Sequence, residues 1–304
     1  MRKQESLKNR LEFFLKGIFM GLADIIPGVS GGTIALITGI YERLIFAIKS
    51  IDPKIPLYFL KGNFKEAKEE FWDIDWILLV PLSLGIGTAF LVASRFILIA
   101  LHNFPAYTYS FFFGLILASA VLIYTRIGEK DHKALLTGTI GALFAFWLVG
   151  QEAIKFGHNP LMIFIAGFIA ICAMILPGIS GSFMMLLIGQ YEFLLGALKN
   201  VSTQYPTILI FMTGAIISIL SFSRVLSYLL KKHEAKTLAF LTGLMVGALR
   251  LPFEEVINVS TNYPELNFAW SIQNIVLTLL FAFLGVVAVV LLEGKGEEDF
   301  EPVL

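Results

Sequence analysis

Two serines, Ser30 and Ser180, stand in nearly the same setting. Residues 27–32 read Pro-Gly-Val-Ser-Gly-Gly, and residues 177–182 read Pro-Gly-Ile-Ser-Gly-Ser. The separation is 177 − 27 = 150 residues. Each motif is followed by an apolar run ending Gly-x-Tyr-Glu: Gly39, Tyr41 and Glu42, then Gly189, Tyr191 and Glu192. Proline ends a helix, because it lacks an N–H and disfavours helical geometry in the residue before it. The serines are placed to cap a new helix starting near Thr33 and Phe183. A helix N-terminus presents free N–H groups, and those attract anions. The candidate anion-binding residues are therefore Ser30, Gly31, Gly32 and Thr33, with Ser180, Gly181 and Ser182.

Two arginines strengthen an anionic reading. Arg95 and Arg224 each follow a serine inside an apolar stretch, where a cation costs at least ~2.5–3.5 kcal/mol at the bilayer centre. The spans place Arg95 toward the outer face and Arg224 toward the inner one. An arginine fork suits phosphate because it binds in a bidentate manner. Two helix tips of roughly half a positive charge each, with one or two arginines, approximate the charge of a phosphate monoester, about −1.5 to −2.

Asp24 precedes the first motif, and its counterpart in the second is Met174. A carboxylate beside an anion site is unfavourable unless it is protonated, paired or bound to a cation. Asp24 is the first candidate for coupling to a proton or sodium ion. Glu42 and Glu192 are the others; counted along one straight helix they lie ~18 Å beyond the serines, near the interfaces. No catalytic residue, metal site or cofactor is expected.

These groups need a membrane to position them. The chain is 57% hydrophobic and 15% charged, against about 25% charged in soluble domains, and its mean hydropathy is +0.80. An all-α polytopic membrane protein follows. The zero net charge does not point to nucleic acid. The lone Cys172 forms no intramolecular disulfide and reads as packing. Lys16 interrupts the first apolar stretch, so the N-terminus reads as retained rather than as a cleaved leader.

Spans of ~20 residues are expected at 76–101, 106–125, 134–150, 206–230, 237–250 and 270–292. Two further apolar regions, 11–48 and 160–198, are broken by the motifs. Each is a re-entrant hairpin or a pair of spans, and both return the chain to its starting side. Arg2, Lys3, Lys8, Arg10, Lys54, Lys61, Lys65, Lys68, Arg126, Lys130, Lys133, Lys231, Lys232, Lys236 and Lys295 all fall on one side. The other side has little beyond Lys155, Lys199 and Arg250. By the positive-inside rule, both termini are cytoplasmic.

The duplication continues past the motifs. Gly85 and Ser94-Arg95 match Gly214 and Ser223-Arg224, and Phe111-x-x-Gly114-Leu115 matches Phe240-x-x-Gly243-Leu244, at 214 − 85 = 129 residues. Leu143-Phe-Ala-Phe146 recurs as Leu280-Phe-Ala-Phe283. The halves, 1–151 and 152–304, each hold one hairpin and three spans. Three is odd, so they enter from opposite sides as an inverted repeat, a design suited to alternating access around a central site.

With Asp24-x-x-Pro27-Gly28-Val29-Ser30-Gly31-Gly32-Thr33 and Pro177-Gly-Ile-Ser-Gly181, the chain resembles the polyprenyl-phosphate transporter family. The resemblance implies a bacterial plasma-membrane protein that returns undecaprenyl phosphate from the outer to the inner leaflet, recycling the lipid carrier of cell-wall synthesis. Its partners would be the lipid phosphate and the bilayer. Two alternatives stay open. One is an enzyme like the undecaprenyl-diphosphate phosphatases, whose related motif carries a catalytic arginine and whose helices carry paired glutamates. Here glycine follows each serine, and His102, His132, His158 and His233 fall in loops or at span ends away from the motifs. The other is a carrier of a small soluble anion.

Overall fold

The computed structural model describes residues 7–26, 28–128, 130–154 and 156–293. Pro27, Lys155, and the terminal stretches with Arg2, Lys3 and Lys295 lie outside the described residues. Among the described residues helix follows helix, with no strand.

The first hairpin is α1 (Leu7–Ile25), a break, then α2 (Gly31–Ile37) and α3 (Tyr41–Lys49). Short helices α4 (Ile55–Leu60) and α5 (Phe64–Asp73) occupy the charged loop. α6 (Trp76–Thr88) runs through a π-helical segment, Ala89–Ala93, into α7 (Ser94–Asn103). α8 (Pro105–Arg126) and α9 (His132–Val149) complete this half. The second hairpin is α10 (Pro160–Ile175), α11 (Gly181–Leu187) and α12 (Tyr191–Lys199). α13 (Val201–Ala248) follows, then the short α14 (Arg250–Ile257) and α15 (Val259–Asn262), and finally α16 (Ile272–Glu293). Backbone at His233 leaves helical geometry (φ −140°, ψ 43°) and kinks α13 between the expected 206–230 and 237–250. Local chemistry sets the starts: Asp75, Asp131 and Asn159 cap α6, α9 and α10 by accepting from the third N–H.

Five helical stretches among the described residues are long and apolar enough to cross a membrane, and the count is seven if each bent hairpin pair is one span. The second arm of each hairpin is in pieces of 7 and 9 residues, bent by 117° in the first half and 109° in the second. At 1.5 Å per residue these pieces are about 10 and 13 Å long, too short to cross singly. Surface apolarity is continuous with this: Leu91, Leu279 and Phe283 are 87%, 65% and 62% exposed, as lipid-facing residues are.

The duplication is visible in packing. A side chain at Gly17 would strike the Leu82 carbonyl, and one at Gly85 the Phe14 carbonyl. The counterparts do the same: Gly167 against Phe211, and Gly214 against Phe164. Glycine is required because these backbones touch. The last spans cross over between the halves. α8 packs on α16 through Gly114 and Gly285, while α9 packs on α13 through Gly141 and Gly243. Gly141 meets Phe240 as Gly285 meets Phe111, an offset of 285 − 141 = 144. The Leu-Phe-Ala-Phe match, at 280 − 143 = 137, is therefore out of register with the contacts by seven residues, about two helical turns.

Candidate functional site

The two breaks meet. Gly28 and Gly178 both take φ +84°, a left-handed conformation that a side chain disfavours. Ser30 and Ser180 then cap helices that start at Gly31 and Gly181, two residues before the expected starts. Ser30 Oγ lies 3.0 Å from the Leu176 carbonyl and 3.4 Å from that of Met174. The Tyr41 hydroxyl donates to the Ile175 carbonyl at 3.1 Å. The Gly178 N–H donates to Thr33 Oγ1 at 3.0 Å. The last carbonyls of α10 have no partner within their own helix. Hydroxyls from the first hairpin supply one across the junction, which makes irregular backbone tolerable at membrane depth.

The reverse contacts are not made. Ser180 Oγ pairs with Ser182 Oγ at 2.8 Å, the position of Thr33 is Phe183, and the half-buried Tyr191 has no side-chain hydrogen bond among the described residues. The first tip is sealed in, with every residue of α2 buried, while most of α11 is partly exposed.

Asp24 and Met174 explain part of this difference. Asp24 Oδ1 accepts from the Gly31 N–H at 2.7 Å, and the Gly32 N–H is taken by Ser30 Oγ at 3.1 Å. A side chain at Gly31 would meet the Asp24 carboxyl at 2.5 Å. In the second hairpin a side chain at Gly181 would instead meet Met174 Cγ at 2.6 Å. Methionine caps nothing, so the N–H groups of Gly181 and Ser182 carry no hydrogen bond among the described residues. The first-turn N–H groups left open to an anion among the described residues are those of the second tip, Gly181 and Ser182.

Two cavities adjoin the junction. The larger, 590 Å³, runs from Asp24, Gly32 and Met174 past Ile48 and Ile219 to Ile51 and Trp76. The smaller, 380 Å³, is lined by Glu42, Arg126 and Glu234 among others. Tyr41, 2% exposed, lines both.

With this geometry in view, comparison with known proteins is informative. The family described as VCA0040-like, undecaprenyl phosphate translocase-like, matches residues 20–266. The chain belongs to that family. A polyprenyl-phosphate transporter of Vibrio cholerae is 42% identical over 260 residues, covering 84% of this chain and 82% of its own. A polyprenyl-phosphate transporter of Staphylococcus aureus is 31% identical over 254 residues, covering 77% and 83%. Both relatives are named as transporters, not enzymes, in line with the sequence reading. No solved structure matches the chain.

For this family member, several placements differ from the linear reading. The bends at Gly39 and Gly189 mean that Glu42 and Glu192 do not continue a straight 18 Å helix from the serines. Glu42 faces the smaller cavity, whereas Glu192 is exposed. Arg95 is exposed, lines neither cavity and has no side-chain hydrogen bond or ion pair among the described residues. Arg224 is partly buried and donates to the carbonyls of Leu220 and, at 2.9 Å, Ile51. His158 is not remote from the repeat: it lies 3.1 Å from Gln190 Oε1 and stacks on Phe193 at 4.1 Å. Gln190, 1% exposed, also donates toward the Phe156 and Gly157 carbonyls and so pins the loop between the halves. Cys172 packs as expected, with Sγ 3.1 Å from Ser218 Oγ. Among the described residues no group of three or more His, Cys, Asp or Glu could hold a metal ion.

Tyr41, Gln190 and Glu234 were not singled out from sequence. Tyr41 carried a signal, since the duplicated Gly-x-Tyr-Glu contains it; the other two carried none.

Proposed function

We propose that this protein carries polyprenyl phosphate across the bacterial plasma membrane, from the outer to the inner leaflet, so that the lipid carrier of cell-wall synthesis is reused. The observation that carries the reading is the junction of the two broken hairpins, in a chain whose relatives are named polyprenyl-phosphate transporters. The long tail travels in or beside lipid, and only the phosphate needs a polar path.

In this reading the phosphate engages Ser180, Gly181 and Ser182 through the open N–H groups of Gly181 and Ser182, and the first tip joins when Asp24 releases Gly31. Arg95 and Arg224 receive the phosphate near either face. The halves act as an inverted repeat with cytoplasmic termini. The one-sided latch of Ser30 and Tyr41 on the second hairpin defines one end state. Ser180 and Tyr191 would latch the first hairpin in the mirror-related state.

Moving an anion inward against a negative-inside potential costs ~2.3 kcal/mol per charge per 100 mV. A proton or sodium ion taken up at Asp24, with Glu42 or Glu192 along its route, offsets this cost. It also removes the repulsion between the carboxylate and the phosphate. Proteoliposomes with imposed pH, sodium and voltage gradients test both parts. No movement of polyprenyl phosphate rejects the function; movement indifferent to every gradient rejects the coupling alone.

A further inference from the structure

The larger cavity has mostly apolar walls, and a cation outside its lining bonds to one of the lining residues. Ile51 lines it, and the Ile51 carbonyl accepts from Arg224 at 2.9 Å. Arg224 also donates to Leu220 within its own helix, so two protein carbonyls engage a guanidinium that carries five N–H donors. Lys231 stands two turns further along α13, 4.9 Å from the Phe46 ring of α3, so this end faces the lysine-rich side. The other end is the junction at Asp24 and Met174. Between them the walls include Ile48, Ile86, Ile171 and Ile219, whose branched side chains are stiff. Val80 and Leu84 form one edge and are 47% and 60% exposed, so the cavity opens sideways to lipid. Its 590 Å³ lies within the range of small-ligand sites, about 300–1,000 Å³.

We propose that this cavity seats the phosphate-proximal isoprene units of a polyprenyl phosphate standing in the cytoplasmic leaflet, with its phosphate at Arg224 and its chain running toward Asp24. The proposal rests on the transport reading and adds a tail site to it. Charge complementarity selects the occupant: a monoester phosphate on an apolar chain satisfies both the guanidinium and the walls. A soluble anion would leave the walls wet, and a neutral isoprenoid would leave Arg224 unanswered. Lipid tails are as apolar as the cavity walls, so burial there gives little hydrophobic gain. The stiff walls act on shape, favouring a methyl-branched chain over a straight acyl chain, while the phosphate supplies the hold.

The test uses the full chain in proteoliposomes and a polyprenyl phosphate carrying a photoreactive diazirine on its second isoprene unit. Labelled peptides are read by mass spectrometry, beside transport of the unmodified lipid. Labelling concentrated at residues 79–84 and around Ile171 and Ile219 is expected. Excess unlabelled polyprenyl phosphate should suppress it, and the dephosphorylated polyprenol or inorganic phosphate should not. Val80→Trp, at an exposed position, should cut that labelling about tenfold, a change of about 1.4 kcal/mol in occupancy, without changing thermal stability. Labelling spread over lipid-facing positions such as Leu279 and Phe283, while transport stays intact, overturns the tail site and spares the transport reading. Absence of transport in the unsubstituted protein rejects that reading, and this proposal with it.

Discussion

The Tyr41 hydroxyl donates to the Ile175 carbonyl, 3.1 Å away and on the opposite half of the chain. Among the described residues the hydroxyl of its counterpart Tyr191 makes no hydrogen bond. One hydroxyl of a duplicated pair thus holds the junction, and it does so from the wall shared by both cavities.

Tyr41→Phe should destabilise the protein by about 1–3 kcal/mol, because it leaves a buried carbonyl unsatisfied. Tyr191→Phe should stay within about 0.5 kcal/mol. Thermal unfolding in detergent measures both. If the latch alternates between mirror-related states, both variants slow transport although only one changes stability. Normal transport by Tyr191→Phe would sink the alternation.

Asp24→Asn keeps an oxygen for the Gly31 N–H and loses the charge. Its stability should match the unsubstituted protein, while its transport no longer responds to the coupling gradient. Asp24→Ala removes the acceptor as well and should cost about 1–3 kcal/mol. An Asp24→Asn protein that still responds to every gradient used would exclude this residue from coupling.

Gly85→Ala and Gly214→Ala place a methyl group against the carbonyls of Phe14 and Phe164. Each should cost about 1–3 kcal/mol through overpacking, and by similar amounts, because the surroundings are repeated. Gly87→Ala is the control. Nothing lies within 4 Å of the added carbon, so this change should stabilise α6 by up to about 1 kcal/mol through helix propensity. Equal effects at Gly85 and Gly87 would contradict the close approach of α1 and α6.

Arg95→Ala removes an exposed side chain without a partner, so stability should change by no more than about 0.5 kcal/mol. Arg224→Ala also breaks the link to Ile51. Both should lower transport while leaving membrane insertion intact. Arg224→Lys should restore little of the loss, since an ammonium lacks the planar fork. Full activity in both alanine variants would remove the arginines from the phosphate path.

Much of the site was legible because its chemistry is local. A Pro-Gly break, a serine cap and a glycine at positive φ are decided within a few residues, so Ser30 and Ser180 could be read as helix starts from the letters alone. Glu42 and Glu192 misled for the same reason. Their distance from the serines depends on the bends at Gly39 and Gly189, and an apolar run with one glycine does not announce a bend of more than 100°. The Leu-Phe-Ala-Phe match failed as a register because lipid-facing residues repeat by composition, whereas the contacting glycines are fixed by backbone approach.

A membrane-embedded, duplicated, all-helical chain with two helix breaks is readable from the letters, since hydropathy and proline–glycine chemistry act on each segment separately. How the two tips bond to each other emerges from three-dimensional packing. Ser30 and Tyr41 have counterparts of the same type in Ser180 and Tyr191, so residue type alone does not specify which of those hydroxyls cross the junction; Thr33, matched by Phe183, is the exception. The choice follows from packing around Asp24 and Met174: a carboxyl occupies the first tip's N–H, a thioether leaves the second tip's open, and Tyr41 closes the junction from one side.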